Sequence, residues 1–190
     1  MLILASQSPR RKELLGLFGL PFTVRVADID ETMDKTKSPA DEVARLSREK
    51  AMAVPREAED IVIAADTIVV LGGRVLGKPH SEQEAIAMLT ALSDRDHQVM
   101  TGVTVLRGDE AITHTEITHI HFRPLSQGEI ARYVATGEPM DKAGAYGIQG
   151  GAALFAENMQ GDYYNVMGLP VCRLWQMLHS IAPELMEDTQ

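Results

Sequence analysis

Asp66 is the first residue of this sequence that asks for a chemical explanation. It lies in Asp60-Ile61-Val62-Ile63-Ala64-Ala65-Asp66-Thr67-Ile68-Val69-Val70-Leu71, where β-branched residues on both sides read as a buried strand. An ionised carboxylate is costly to bury unless it is paired, hydrogen-bonded or bound to metal, so Asp66 is a candidate functional group. A strand-end aspartate that caps a turn is the structural alternative. A second locus is Ser8-Pro9-Arg10-Arg11. Ser8 suits an N-cap and Pro9 the first helical position, which puts Arg10 and Arg11 in the first turn. The positive end of the helix dipole disfavours a cation there by roughly 0.3–1 kcal/mol. A bound anion such as phosphate would offset that cost; two solvated arginines are the plain alternative.

Further groups have suitable chemistry. Lys50 lies on the same helical stripe as Val43 and Leu46, so its stem passes over the core while its ammonium reaches either a pocket or solvent. Lys78 is held between glycine and proline in Gly77-Lys78-Pro79. Glu31 belongs to Asp28-Ile29-Asp30-Glu31, a carboxylate group that suits either a hard cation or water. The segment 138–151 combines several glycines with Asp141, Lys142, Tyr146 and Gln149; its glycines allow backbone amides to approach a ligand, against the alternative of a flexible surface loop. His119 and His121 alternate along one strand face and fit a metal pair or a polar sheet surface, and His97 is equally open.

The elements that must position these groups follow from periodicity and caps. The apolar start 1–5 reads as a strand leading into the Ser8 helix, which Gly19 and Pro21 end, and 22–26 as a second strand. Ser38-Pro39 opens the helix that carries Lys50. Gly72-Gly73 makes a hairpin after the Asp66 strand, and Ser81 with Glu84 forms a capping box. Residues 98–106 and 111–122 flank Gly108-Asp109 as a hairpin; Ser126 with Glu129 forms another capping box, and Gly137 ends that helix. Residues 152–157 suit a short strand. The final helix has Pro170 in its first turn, an apolar side of Leu174, Met177, Leu178 and Ile181, and Cys172 packed with them; 184–190 reads as a frayed acidic tail.

The bulk properties narrow the function classes. The 190 residues suit one domain, and 45% hydrophobic residues supply a sizeable core. A formal charge of −9 opposes a broad grip on nucleic acid or an anionic membrane, so an anionic substrate needs a local cationic pocket. A single cysteine allows no internal disulfide or cysteine-based zinc site. With an opening run too short for a signal-peptide core and no apolar stretch of membrane-spanning length, the expectation is a cytoplasmic protein.

Taken in order, Ser6-Gln7-Ser8-Pro9-Arg10-Arg11, Arg48-Glu49-Lys50-Ala51, Ala65-Asp66-Thr67-Ile68-Val69, Gly77-Lys78-Pro79, 97–103, 138–150 and 165–170 resemble the Maf family of nucleoside triphosphate pyrophosphatases over nearly the whole chain. Asp94 departs from the glycine often found before the His97 strand. The resemblance implies one α/β domain over 1–190, an elongated mixed sheet flanked by helices, two lobes around a central cleft, and a homodimer. It implies hydrolysis of a nucleoside triphosphate to monophosphate and pyrophosphate with Mg²⁺ or Mn²⁺. The run Gly144-Ala145-Tyr146-Gly147-Ile148-Gln149-Gly150 resembles the branch acting on dTTP and UTP.

In that branch Arg10, Thr67 and Gln149 match the specificity positions and Asp66 the proton acceptor. Ser8, Arg10, Arg11, Lys50, Lys78 and Lys142 are then expected on the substrate, with Lys50 and Lys78 assisting catalysis. Glu31 and Asp66 would hold the cation, an assignment that competes with Asp66 as base. Gln149 has the amide donor and carbonyl acceptor needed to pair with a thymine or uracil imide edge. These bases differ by one methyl group, which a pocket discriminates by only about 1–3 kcal/mol, so dual specificity is reasonable. The competing expectation is a nucleotide-binding regulator of septum formation without significant turnover.

Overall fold

The computed structural model describes residues 1–26 and 28–187. The chain divides into two compact units. The first comprises 1–66, 101–116 and the segment from 168 onward; the second comprises 67–100 and 117–167. The boundary passes through three long strands, so Asp66 closes a first-unit segment and Thr67 opens a second-unit one.

In the first unit, the apolar opening run forms β1 (Leu2–Leu4), buried along its length. It is followed by α1 (Pro9–Gly16), β2 (Phe22–Val24) and α2 (Pro39–Ala53). Strand β3 (Ile61–Leu71) then returns parallel to β1, with Leu2 opposite Ile61 and Leu4 opposite Ile63; β2 lies parallel on the other edge of β1. A parallel strand needs a crossover, and here the crossovers contain α1 and α2. Both helices start as their sequences require. Ser8 Oγ accepts from the Arg11 amide at 3.4 Å and Ser38 Oγ from the Asp41 amide at 3.1 Å.

Strand β3 changes partners along its length. Its register with β1 ends at Ile63, and its antiparallel register with β4 (Arg74–Leu76) begins at Val69. Asp66 and Thr67 fall between these ladders. These two positions are half-buried in a strand that is otherwise buried almost throughout.

Helix α3 (Glu82–Leu92) precedes the long hairpin of β5 (Asp96–Arg107) and β6 (Glu110–Phe122). Helix α4 (Gln127–Val134), three short 3₁₀ turns, β7 (Ala156–Gln160), α5 (Tyr163–Met167), α6 (Val171–Ile181) and α7 (Glu184–Glu187) complete the order. The sheet runs β2-β1-β3-β5-β6-β7, with β4 on β3. Among the described residues no helix is long and apolar enough to cross a membrane.

The local expectations hold with instructive exceptions. Ser126 and Glu129 make the full capping box, but Glu84 turns its carboxylate to the His80 amide at 2.8 Å, leaving only the Ser81 half of the other box. The strand expected at 152–157 starts at Ala156, because 151–154 forms a 3₁₀ turn. Cys172 is exposed, contrary to the packing expectation. It lies two residues before buried Leu174, about 200° around the helix and on its opposite side. Residues 184–187 are helical; the remainder of the expected tail, 188–190, lies outside the described residues. Asp94 adopts φ 57°, the left-handed conformation that a glycine takes easily.

His97 is buried, with Nε2 2.8 Å from the Tyr146 hydroxyl and its ring packed edge-on against Phe122 at 4.8 Å. It is a core residue of the second unit. His119 and His121 belong to a polar sheet surface: His121 Nδ1 meets Asp96 at 2.9 Å, and among the described residues no group of three or more metal-ligating side chains occurs.

Two predictions follow from this packing. Gly102 on β5 runs against the α2 backbone, where a Cβ would meet the Val43 carbonyl carbon at 2.6 Å and the Ala44 nitrogen at 2.8 Å. Gly102→Ala should destabilise the protein by about 1–3 kcal/mol, measured by urea unfolding, because backbone cannot yield as a side chain does. Desolvation lowers the His97 pKa from its ordinary 6.5 to about 4. Its neutral form favours the fold above pH 6.5, and that contribution is lost as pH falls towards 4. Between pH 6.5 and 5 the His97 contribution should fall by at most about 1.4 kcal/mol per pH unit, and His97→Gln should flatten the measured profile.

Candidate active site

In the first unit Asp66 is ion-paired with Lys50. Lys50 Nζ lies 2.6 Å from Asp66 Oδ1 and 3.0 Å from Glu31 Oε1. The side chains of Lys50 and Asp66 are only 15% and 13% exposed, so each charge offsets much of the other's burial cost. The helical spacing of Val43, Leu46 and Lys50 explains the reach. The two hydrophobic residues are buried on α2 while the lysine stem follows the same face to a carboxylate.

Glu31 arrives by a different route. Asp30 caps its own loop by accepting the Thr32 amide at 2.9 Å. Arg45 Nη2 then donates to the Thr32 carbonyl at 3.0 Å while the guanidinium grips Glu42 and Glu49, each at 2.8 Å. Buried Glu42 also accepts the Asp34 amide at 2.7 Å; the Arg45 hydrogen bond is the largest cause holding its carboxyl below the ordinary range. Thus α2 fastens the acidic loop with Arg45 and meets its Glu31 with Lys50. Within this loop Asp30 forms a turn, and Glu31, largely exposed, pairs with Lys50.

The arginines of α1 face different surroundings. Arg11 is half-buried; its Nε donates to Gly168 O at 2.7 Å and its Nη1 to Ser6 Oγ at 3.3 Å. Burial lowers its pKa, an effect opposed by Asp66 and Glu31 and reinforced by Arg10. Arg11 therefore feels the charges of Asp66, Arg10 and Glu31. Ser8 Oγ caps the helix as an acceptor, which leaves its hydroxyl proton for another partner, and its own amide is bonded to Ser6 Oγ at 3.2 Å. Ser6 and Gly168 were not singled out as site residues; Ser6 precedes the helix start and offers its hydroxyl to both an amide and a guanidinium.

Thr67, Lys78, Lys142 and Gln149 belong to the second unit. Gly144 N donates to Gly77 O at 3.0 Å, tying the Lys78 segment to the glycine-rich one. Gly144 has φ 68°, and a Cβ there would meet the Val69 side chain at 2.8 Å, two residues beyond Thr67. Lys78 and Gln149 are exposed. Lys142 is more committed than its sequence implied: its ammonium donates to the Glu138 carbonyl and to Asp141, both at 2.7 Å.

The loop glycines also serve an internal purpose. Gly147 N donates to the Tyr133 hydroxyl at 3.0 Å, and Gly151 N to Glu138 Oε2 at 3.1 Å. A Cβ on Gly150 would collide with the Glu138 carboxylate. The sequence reading assigned the open glycines to ligand approach and did not identify Tyr133 or Glu138, whose contacts depend on tertiary folding.

Comparison with known proteins gives the family. The family model described as Maf-like protein matches residues 1–181. A protein of Symbiobacterium thermophilum named dTTP/UTP pyrophosphatase is 56% identical over 178 residues, covering 93% of this chain and 92% of its own. One of the same name from Halalkalibacterium halodurans is 54% identical over 173 residues, covering 90% of this chain and 91% of its own. Among solved structures, a HAM1 protein from Coxiella burnetii superposes with a TM-score of 0.50 at 15% identity, covering 94% of this chain and 98% of that one, a likeness of fold alone. Matched almost end to end by the family model and by relatives more than half identical, the chain belongs to the Maf family.

Proposed function

We propose that this protein hydrolyses dTTP and UTP to the nucleoside monophosphate and pyrophosphate. The observation that carries the reading is the Lys50 ammonium joined at 2.6 and 3.0 Å to Asp66 and Glu31, beside the α1 arginines. Such a cluster combines a carboxylate base with charges suited to a triphosphate. The printed activity of the two bacterial relatives supports the same choice over a regulator that binds without turnover.

In this mechanism Asp66 accepts a proton from water as the water attacks the α-phosphorus. The bond from that phosphorus to its bridging oxygen breaks, and pyrophosphate leaves with the electron pair. Lys50 holds Asp66 Oδ1, which assigns Oδ2 to the proton. Arg10, Arg11 and Lys78 bind phosphate oxygens, Lys142 adds a further positive charge, and Ser8 keeps the start of α1 in place. Thr67 and Gln149 contribute base selection together with Arg10; Gln149 supplies both an acceptor and a donor for an imide edge.

Glu31 and Asp66 also suit a hard divalent cation such as Mg²⁺ or Mn²⁺. Two protein carboxylates plus substrate oxygens are a sufficient donor set for Mg²⁺, without a dedicated cage of protein ligands. When bound, the cation neutralises charge on the phosphates. Lys50 already places one positive charge between these carboxylates, so a cation held by Glu31 and Asp66 would share them with its ammonium. The proposal extends to a cytoplasmic homodimer, as the family resemblance implies; light scattering tests the assembly.

The experiment is a panel of dTTP, UTP, CTP, dATP, GTP and 7-methyl-GTP with either cation, in water enriched in ¹⁸O. Pyrophosphate and labelled dTMP or UMP are the expected products. Label in pyrophosphate places attack at the β-phosphorus, and orthophosphate as the product rejects the reaction. Asp66→Asn should lower kcat/KM by about 10²–10⁴, the usual contribution of a positioned general base. A folded variant at near wild-type rate would remove Asp66 from the mechanism. Arg10→Glu should raise KM for dTTP at least tenfold, corresponding to about 1.4 kcal/mol, and unchanged kinetics would make Arg10 a solvated helix residue.

A further inference from the structure

The Gln149 turn is fastened at both ends through a single pair of side chains. Gly150 N donates to Gly147 O at 3.1 Å, closing a four-residue turn with Gln149 in its third position. The Gly147 amide, at the start of that turn, donates to the Tyr133 hydroxyl at 3.0 Å. The same hydroxyl donates to Glu138 Oε1 at 2.9 Å, and the other carboxylate oxygen accepts the Gly151 amide at 3.1 Å. The sequence of bonds therefore runs from one flank of Gln149 to the other through Tyr133 and Glu138.

Each member of this bridge is itself held. The Tyr133 ring packs edge-on against Phe155 with centroids 5.1 Å apart, and Tyr133 lies on the buried side of α4. Lys142 Nζ binds the Glu138 carbonyl at 2.7 Å, while the Glu138 amide donates to Thr136 Oγ1 at 3.2 Å. The carboxylate fills the space that a side chain on Gly150 would require, and Gly151 leaves only 3.1 Å between a Cβ and the Tyr133 ring. Burial and the adjacent carboxylate raise the Tyr133 pKa, so its hydroxyl remains a hydrogen-bond donor at neutral pH. The exposed Gln149 side chain thus rises from a turn whose backbone has little freedom.

We propose that Tyr133 and Glu138 are positioning residues that set base specificity by fixing the Gln149 turn. This inference rests on Gln149 reading the pyrimidine imide edge. Neither residue needs to touch the nucleotide. Their effect is to keep the Gln149 amide at one orientation, so that a donor and an acceptor meet thymine or uracil together. Cytosine presents an amino group and an unprotonated ring nitrogen where uracil presents a carbonyl and an N–H, so a loosened turn discriminates less between them.

The test is kcat/KM for dTTP, UTP and CTP in the wild type, Tyr133→Phe, Glu138→Gln, Gln149→Ala and the double variant Tyr133→Phe/Gln149→Ala, with thermal unfolding recorded for each. Tyr133→Phe keeps the ring packing and removes the hydroxyl. It should reduce the preference for dTTP over CTP about tenfold, the scale of one well-formed hydrogen bond, chiefly through KM for dTTP. Glu138→Gln retains the volume and one acceptor and should give a smaller change in the same direction. In the Gln149→Ala background the Tyr133 substitution should have no further effect on preference. A uniform loss for all three nucleotides, or an undiminished change in the double variant, would overturn the positioning role. Unchanged preference in Gln149→Ala would instead overturn the base-reading role, and the positioning proposal with it. If Tyr133→Phe does not fold, the Glu138→Gln comparison, alone and combined with Gln149→Ala, decides the case by the same criteria.

Discussion

The pairing of Lys50 with Asp66 is the constraint around which the first unit is organised. A carboxylate within β3 is untenable as an isolated charge, and so is an ammonium on the core side of α2. Their 2.6 Å contact makes each position admissible. It also sets demands on the backbone, because α2 must lie near enough to β3 for the lysine to reach. Gly102 supplies part of that closeness by allowing β5 to approach the α2 backbone, with the buried Ser47 and Thr104 hydroxyls joined at 2.8 Å between the same two elements. Packing and chemistry therefore make the same demand: a close helix both completes the core and delivers the compensating charge.

The switch of strand partners explains why that carboxylate is on β3 at all. On the edge of β3 that meets β1 and then β4, Asp66 and Thr67 occur between the two registers, while β5 also pairs with β3. Polar side chains cost less where regular apolar packing is interrupted. The end of β1 leads through Ser6 and Ser8 to the start of α1, so the N-terminus of that helix and the Asp66 carboxylate arise from neighbouring parallel strands of one unit. The acidic loop then joins through Arg45 and Lys50, two residues of the same helix with opposite tasks. Arg45 holds backbone and carboxylates at the loop margin, and Lys50 meets the one loop carboxylate in the ion cluster.

What the sequence revealed about this site divides along the distance over which each rule acts. Ser8 as cap, Lys50 on a helical stripe and Asp66 in an apolar strand follow from neighbours within one or two turns. Those residues were legible because caps and periodicity are local. Helical periodicity also contained the answer for Cys172, since its position two residues before Leu174 turns it away from the apolar side; counting nearby hydrophobic residues obscured that angle. The short α5 was harder to see, because its start depends on Asp162 accepting the Tyr164 amide at 2.8 Å and its burial on Asn165 reaching the Val99 carbonyl at 3.0 Å. Glu138 and Tyr133 were illegible as a pair for the same reason: their role appears only when Gly147 and Gly151 are brought onto them.

That pair changes the meaning of the glycine-rich segment. A glycine is commonly associated with open backbone for a ligand, but here the Gly147 and Gly151 amides already have partners within the protein, and Gly150 is small to admit a carboxylate. The segment is consequently less adaptable than its composition implies. Ala145 adopts φ 60° while buried, immediately after left-handed Gly144, so two successive residues adopt a conformation that a flexible loop would leave. Such an investment of backbone strain and hydrogen bonds is difficult to attribute to a connector. It is intelligible if Gln149 must present its amide at a fixed angle, because donor and acceptor discriminate bases only when both are placed together. The same hydrogen bonds that occupy the glycine amides hold the backbone on both sides of the Gln149 side chain.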